Sequence, residues 1–189
     1  MNGPMVEGDR PAAFLDRDGV LNELVYRDSG AASPRIIDDF KIRPGAVEAV
    51  RALRDLGLPV LVVSNQPDIE RGWMTRASLA QMSAVLRAAV PIDDMAICEH
   101  DDCNGCRCRK PKPGLLVELA ERWGIDLKRS FMIGDSWRDV GAGRAAACFT
   151  ILVGVSDARG GVPDAVVEDL AGAVAAVRRR LQSGSAELG

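Results

Sequence analysis

Short apolar runs alternate along the chain with stretches of helical periodicity. Ala12–Leu15, Pro59–Val63, Met95–Cys98, Phe131–Ile133, Phe149–Val153 and Ala165–Val167 are short, continuous and rich in branched residues, the pattern of strands buried on both faces. Helical patterns fall between them at about Gly45–Leu56, Thr75–Ala89, Gly114–Trp123, Trp137–Ala147 and Leu170–Leu181. Thr75 suits an N-cap, and Gly57 suits the residue just past a helix end. Strand–helix alternation of this kind predicts an α/β fold, a Rossmann-like parallel sheet with helices on both faces. Residues 1–189 read as a single domain with a core over about 12–182, and Met1–Arg10 and Ser183–Gly189 read as frayed tails. Tyr26–Ile37 reads as a polar loop, long enough to be functional. With no insertion large enough for a separate cap domain, the cleft is expected to be open or closed by loops alone.

Composition narrows the classes. Hydrophobic residues at 47% and charged residues at 27% describe an ordinary globular chain. A formal net charge of −3 gives no basic footprint for nucleic acid, and no apolar run is long enough to span a bilayer. The N-terminus has no apolar signal core, so the expectation is a cytoplasmic protein, a monomer with a small-molecule substrate. Four of the five cysteines, Cys98, Cys103, Cys106 and Cys108, crowd around the sole histidine, His100, and in a reducing compartment that density reads as metal.

Ligands of open parallel sheets bind at the carboxyl ends of the strands, so the polar residues there carry the chemistry. Asp16-Arg17-Asp18-Gly19 follows the first strand, with two carboxylates at i, i+2 on one side. Crowding two acids is costly unless a divalent cation joins them. Alone, the motif also describes a solvated turn. Ser64-Asn65-Gln66 follows the second strand with a hydroxyl and amides that can donate to an anionic oxygen. Arg109-Lys110-Pro111-Lys112-Pro113-Gly114 sets a basic pair on a proline-stiffened loop, suited to phosphate. Gly134-Asp135-Ser136-Trp137-Arg138-Asp139 ends a strand in an acid. Asp135 can complete a three-oxygen Mg²⁺ site with Asp16 and the Asp18 carbonyl, and Asp139 suits a supporting or helix-start role.

Together these sets resemble the haloacid-dehalogenase-like phosphatases: Asp16-x-Asp18 for the first motif, Ser64 for the second, Lys110 for the third, Gly134-Asp135-(x)3-Asp139 for the fourth. The resemblance covers about residues 12–155. It implies that Asp16 attacks phosphorus, that Asp18 acts as acid and base, and that Ser64 and Lys110 hold the phosphoryl oxygens beside Mg²⁺.

The segment Cys98 to Cys108 offers five ligands where zinc takes four. Cys98-x-His100 and Cys106-x-Cys108 make two i, i+2 pairs around an Asn-Gly turn, so these four are the expected structural Zn²⁺ set and Cys103 is the spare. Placed directly before Arg109-Lys110-Pro111, that loop is similar to the one in capless D-glycero-D-manno-heptose-1,7-bisphosphate 7-phosphatases and their histidinol-phosphate phosphatase relatives. The resemblance implies hydrolysis of the C7 phosphate through an aspartyl phosphate, with Arg109 reading the C1 phosphate. A histidinol-phosphate phosphatase is the alternative, with Asp28, Asp38 or Glu70 as counter-charge for its cationic substrate. The chain departs from the heptose pattern in four places: five residues between His100 and Cys106, Pro67-Asp68 after Asn-Gln, Ser136 after Asp135, and a longer loop over Leu24–Ile37. Trp73 and Trp137 read as apolar lid or helix-packing residues.

Overall fold

The computed structural model describes residues 8–28, 30–155, 159 and 161–186. In chain order its strands are β1 (Ala13–Leu15), β2 (Val25–Arg27), β3 (Gly30–Ala32), β4 (Val60–Asn65), β5 (Asp94–Cys98), β6 (Phe131–Gly134), β7 (Phe149–Val153) and β8 (Ala165–Val167). Its helices are α1 (Ala46–Asp55), α2 (Arg76–Ala89), α3 (Gly114–Trp123), α4 (Trp137–Ala145) and α5 (Leu170–Ala186). Six strands form one parallel sheet in the order β5-β4-β1-β6-β7-β8. β1 lies in the middle, where the chain winds first to one side and then to the other. That reversal opens a crevice at the carboxyl end of β1.

Register sorts the core into two layers. Phe14 lies between Leu61 and Met132, and this row faces Leu115, Leu116 and Leu119 of α3 and Ala142 of α4. The rows on either side, Ala13–Val60–Phe131 and Leu15–Val62–Ile133, face α1, α2 and α5. Successive strand residues point to opposite faces, so with both faces covered these central rows of β1, β4 and β6 are apolar throughout. Each of the larger side chains contributes about 1.5–3 kcal/mol on burial. Thr75 caps α2, its hydroxyl accepting from the Ser78 amide at 3.0 Å. Gly57 follows α1 at φ 81°, its amide donating to the Arg54 carbonyl.

The structure differs from the sequence reading in three places. Residues 24–37 are not simply a loop: β2 and β3 pair as an antiparallel hairpin, and a single turn of 3-10 helix follows at Ile37–Asp39. Strands this short, exposed and rich in small residues leave no periodic signal. This excursion forms a strap closed at its base, where Asn22 bridges Ile42 and Glu23 donates to the Lys41 carbonyl. The tails are also shorter than expected. Arg10 pairs with Ile125, accepts from the Asp126 amide, and lays its guanidinium 5.7 Å from the Trp123 ring centre. At the other end α5 continues to Ala186; Met1–Glu7 and Glu187–Gly189 lie outside the described residues.

Candidate active site

Parallel pairing of β4, β1 and β6 brings Ser64, Asp16 and Asp135 to one edge of the sheet. Lys110 arrives there from the loop after β5 and is almost wholly buried, 2% exposed. Its ammonium donates to Asp16 Oδ1 at 2.8 Å, Asp139 Oδ1 at 2.6 Å and the Val63 carbonyl at 2.8 Å. All three ammonium protons therefore have acceptors. Burial disfavours its charge, yet Asp139 and Asp16 more than offset that and raise its pKa. Removing such a partner would leave buried carboxylates uncompensated, at about 3–5 kcal/mol.

Asp16 Oδ1 also accepts from the Arg17 amide at 2.7 Å, whereas Oδ2 has no hydrogen bond among the described residues. Burial, then the charges of Asp139, Asp135 and Asp18, push the Asp16 carboxyl well above its usual range against the pull of Lys110. Asp135 rises to about 7, again first through burial and then through Asp139. Asp16, Asp135 and Asp139 each place a carboxylate oxygen within 4.8 Å of the others. One lysine among these acids leaves negative charge in excess, an oxygen-rich set suited to a hard divalent cation.

Two glycines make room for this packing. Gly19 sits at φ 84°, and a Cβ there would lie 1.9 Å from Asp135 Oδ2. A Cβ on Gly134 would lie 2.1 Å from the Asp139 Cβ. Asp139 also takes the helix-start role: its Oδ2 accepts from the Ser136 amide at 3.1 Å and the Ser136 hydroxyl at 2.6 Å.

Asp18 turns its carboxylate away from that acidic group. It accepts from Arg17 Nε and Nη2 at 3.1 and 3.0 Å, Asn22 Nδ2 at 2.9 Å and Gln66 Nε2 at 2.6 Å. Arg17 is fully buried and stacks its guanidinium 5.6 Å from the Phe40 ring centre. Gln66 links Asp18 to the buried Ser64 hydroxyl, donating to it at 2.8 Å. Asn65 is engaged elsewhere: its Oδ1 accepts from the Lys110 amide and its Nδ2 donates to the Lys110 carbonyl, both at 3.0 Å. Of the two amides read as phosphate donors, one thus braces Lys110 and the other braces Asp18.

Sequence reasoning named neither Arg17 nor Asn22 as part of the site. Their signal was an arginine inside an otherwise buried motif and an asparagine four residues after Asp18. Asp139 combines the supporting and helix-start roles, bracing Lys110 with one oxygen and Ser136 with the other.

In the segment that leads to Lys110, Cys98, His100, Cys106 and Cys108 converge with all donor atoms within 4.8 Å. The Cys98 and Cys108 sulfurs are 3.1 Å apart, Cys98 and Cys106 are 3.7 Å apart, and His100 Nδ1 is 3.3 Å from Cys108 Sγ. Tetrahedral zinc with Zn–S near 2.3 Å would hold sulfurs about 3.8 Å apart. Burial opposes ionisation of the Cys106 thiol, but hydrogen bonds led by the Arg109 amide bring it down to about 7. Burial pushes the Cys98 and Cys108 thiols up. Cys103 is exposed and outside the group. Arg109 leaves this loop with its side chain 9% exposed, Nε donating to Asp102 at 2.6 Å and Nη1 to the His100 carbonyl at 3.2 Å.

Both candidate lid tryptophans meet cations. Arg35 and Arg71 lie 4.6 and 5.3 Å from the Trp73 ring centre, and Arg138 and Arg159 lie 4.7 and 5.4 Å from that of Trp137.

Comparison with known proteins agrees with this arrangement. Residues 11–147 match the profile of the haloacid dehalogenase-like hydrolases. Over 149 residues the chain is 38% identical to the D-glycero-beta-D-manno-heptose-1,7-bisphosphate 7-phosphatase of Pseudomonas aeruginosa, covering 76% of this chain and 81% of that one. It is 36% identical over 138 residues to the enzyme of the same name from Helicobacter pylori, covering 70% and 76%. The D,D-heptose 1,7-bisphosphate phosphatase of B. bronchiseptica, solved with magnesium and phosphate, superposes with a TM-score of 0.77 at 30% identity, covering 89% of this chain and 98% of that one. Profile, relatives and the strand-edge placement of Asp16, Ser64, Lys110 and Asp135 converge: the chain belongs to the haloacid dehalogenase-like hydrolase family, among its phosphatases.

Proposed function

We propose that the chain is a Mg²⁺-dependent phosphatase that removes the C7 phosphate of D-glycero-β-D-manno-heptose 1,7-bisphosphate, a small sugar phosphate. The observation that carries the chemistry is Lys110 bridging Asp16 and Asp139 beside Asp135. Asp16, Asp135 and the main-chain oxygen of Asp18 would hold Mg²⁺, which when bound neutralises charge where carboxylate meets phosphoryl group. Asp16 forms a bond to phosphorus as the bond from phosphorus to the C7 oxygen breaks, and Asp18 gives that oxygen its proton. Asp18 then takes a proton from the water that cleaves the acyl phosphate, returning Asp16 and inorganic phosphate. Ser64 would donate its hydroxyl to a phosphoryl oxygen, Lys110 would face that group as a fixed positive charge beside Asp16, and Gln66 keeps Asp18 and Ser64 in register.

The substrate reading rests on the relatives' names and on Arg109, which leaves the Cys/His loop directly before Lys110. A structural Zn²⁺ on Cys98, His100, Cys106 and Cys108 would fix that loop, and with Nε held by Asp102 and Nη1 by the His100 carbonyl, Arg109 would meet the second phosphate through Nη2. All five cysteines are free thiols, which suits a cytoplasmic setting. The histidinol-phosphate reading finds less support. Glu70 is committed to the same loop, accepting from the Asp101 amide and from Asn104 Nδ2, and Asp28 and Asp38 are exposed on or beside the strap. Measuring kcat/KM on the β-heptose bisphosphate and on histidinol phosphate decides between them. A preference of more than about tenfold for histidinol phosphate overturns the heptose reading.

A further inference from the structure

Pro67-Asp68, one of the positions where this chain departs from the heptose pattern, is the hub of an ion-pair chain that joins three loops around the site. Asp68 Oδ2 accepts from Arg35 Nε of the strap at 2.6 Å, and Oδ1 lies 3.4 Å from Arg71 Nη1. Arg71 in turn grips Asp101 of the Cys/His loop with Nε and Nη2. Asp101 caps a single turn of 3-10 helix at Asp102–Asn104 by accepting from the Asp102 amide at 2.8 Å, and Asp102 receives Arg109 Nε at 2.6 Å.

A contiguous path therefore runs from Asp68 through Arg71, Asp101 and Asp102 to Arg109. Arg35 and Arg71 both meet the Trp73 ring and both reach Asp68, which brings two guanidinium groups close together. Like charges so placed repel, and the Asp68 carboxylate between them is what lets both stay. At 14% exposure its side chain is screened far less than a free surface acid. An exposed ion pair alone would matter little, but a network sharing partners behaves as a unit.

We propose that Asp68 is a positioning residue for recognition of the distal phosphate, acting through Arg71 and Asp101 to fix the loop from which Arg109 projects. The proposal rests on the reading of Arg109 given above. Its test compares heptose 1,7-bisphosphate with p-nitrophenyl phosphate, which carries one phosphate, in the wild type, Asp68→Asn, Asp68→Glu, Arg109→Gln and the Asp68→Asn/Arg109→Gln double variant.

Asp68→Asn is expected to raise KM for the bisphosphate about three- to tenfold with kcat within about twofold, and to leave KM for p-nitrophenyl phosphate unmoved. Asp68→Glu, which keeps the charge, recovers most of the loss. In the double variant Asp68→Asn adds nothing to Arg109→Gln. Equal losses on both substrates, additive effects in the double variant, or an unchanged bisphosphate KM in Asp68→Asn while Arg109→Gln raises it would each overturn the role of Asp68 and leave Arg109 standing. If Arg109→Gln itself fails to raise the bisphosphate KM selectively, the reading of Arg109 falls and the role of Asp68 falls with it.

Discussion

Asp16 shows how much a single carboxylate depends on its neighbours. One oxygen is fixed by Lys110 and the Arg17 amide, while the other has no hydrogen bond among the described residues. That asymmetry suits a nucleophile: one oxygen orients the group and the other is available to phosphorus. Asp16→Asn keeps an acceptor for Lys110 but removes the anionic oxygen, and it relieves repulsion from Asp135 and Asp139. Phosphate release should therefore fall by at least about a thousandfold while the urea midpoint holds or rises. Wild-type turnover in that variant would remove Asp16 from the role. Asp18, two residues on, has the same side chain and an opposite environment, because Arg17, Asn22 and Gln66 surround it with donors.

Among the elements, the turn after β1 and the Cys/His loop after β5 set the site. Gly19→Ala would force a Cβ into the Asp135 carboxylate at a backbone conformation that L side chains rarely adopt. We expect a stability loss of about 1–2 kcal/mol from the backbone alone, and a loss of at least tenfold in Mg²⁺ affinity as Asp135 is displaced. Unchanged Mg²⁺ titration and unfolding curves would show that the turn adapts. Cys108→Ser removes one of four converging donors. The variant should lose bound zinc, melt several degrees lower and bind phosphate more weakly, without a direct change in Mg²⁺ affinity. Wild-type zinc content and melting would end the structural-zinc assignment.

At the scale of the whole molecule, the carboxylate excess at the sheet edge couples folding to pH and to cations. The Asp135 pKa is raised to about 7 when folded and is near the ordinary 3.8 when unfolded, so the native state holds the extra proton between those values. Stability of the cation-free protein should therefore fall as pH rises from about 4 to 7, and level off above that. Mg²⁺ should restore it most at pH 8 and least near pH 5, which melting curves in EDTA and in Mg²⁺ would show. An Mg²⁺ effect on melting that is the same at both pH values would contradict this linkage. The sheet and its five helices were readable from the chain because two-sided burial demands unbroken apolar runs, and amphipathic helices repeat on a fixed period. The convergence of Cys98, His100, Cys106 and Cys108 was readable too, since they lie within eleven residues of one another, where spacing is geometry. The hairpin of the strap was not, because three-residue exposed strands carry no period. Nor was the division of labour among the polar residues. Asp18 facing Arg17, Asn65 bracing Lys110, and Asp68 tying Arg35 to Arg71 all depend on contacts between segments or on the direction a side chain turns. The sequence by itself determined which residues stand at the strand ends, because burial dictates local pattern. Only the tertiary structure decided which of them touch, because pairing between distant segments is set by how the whole sheet closes.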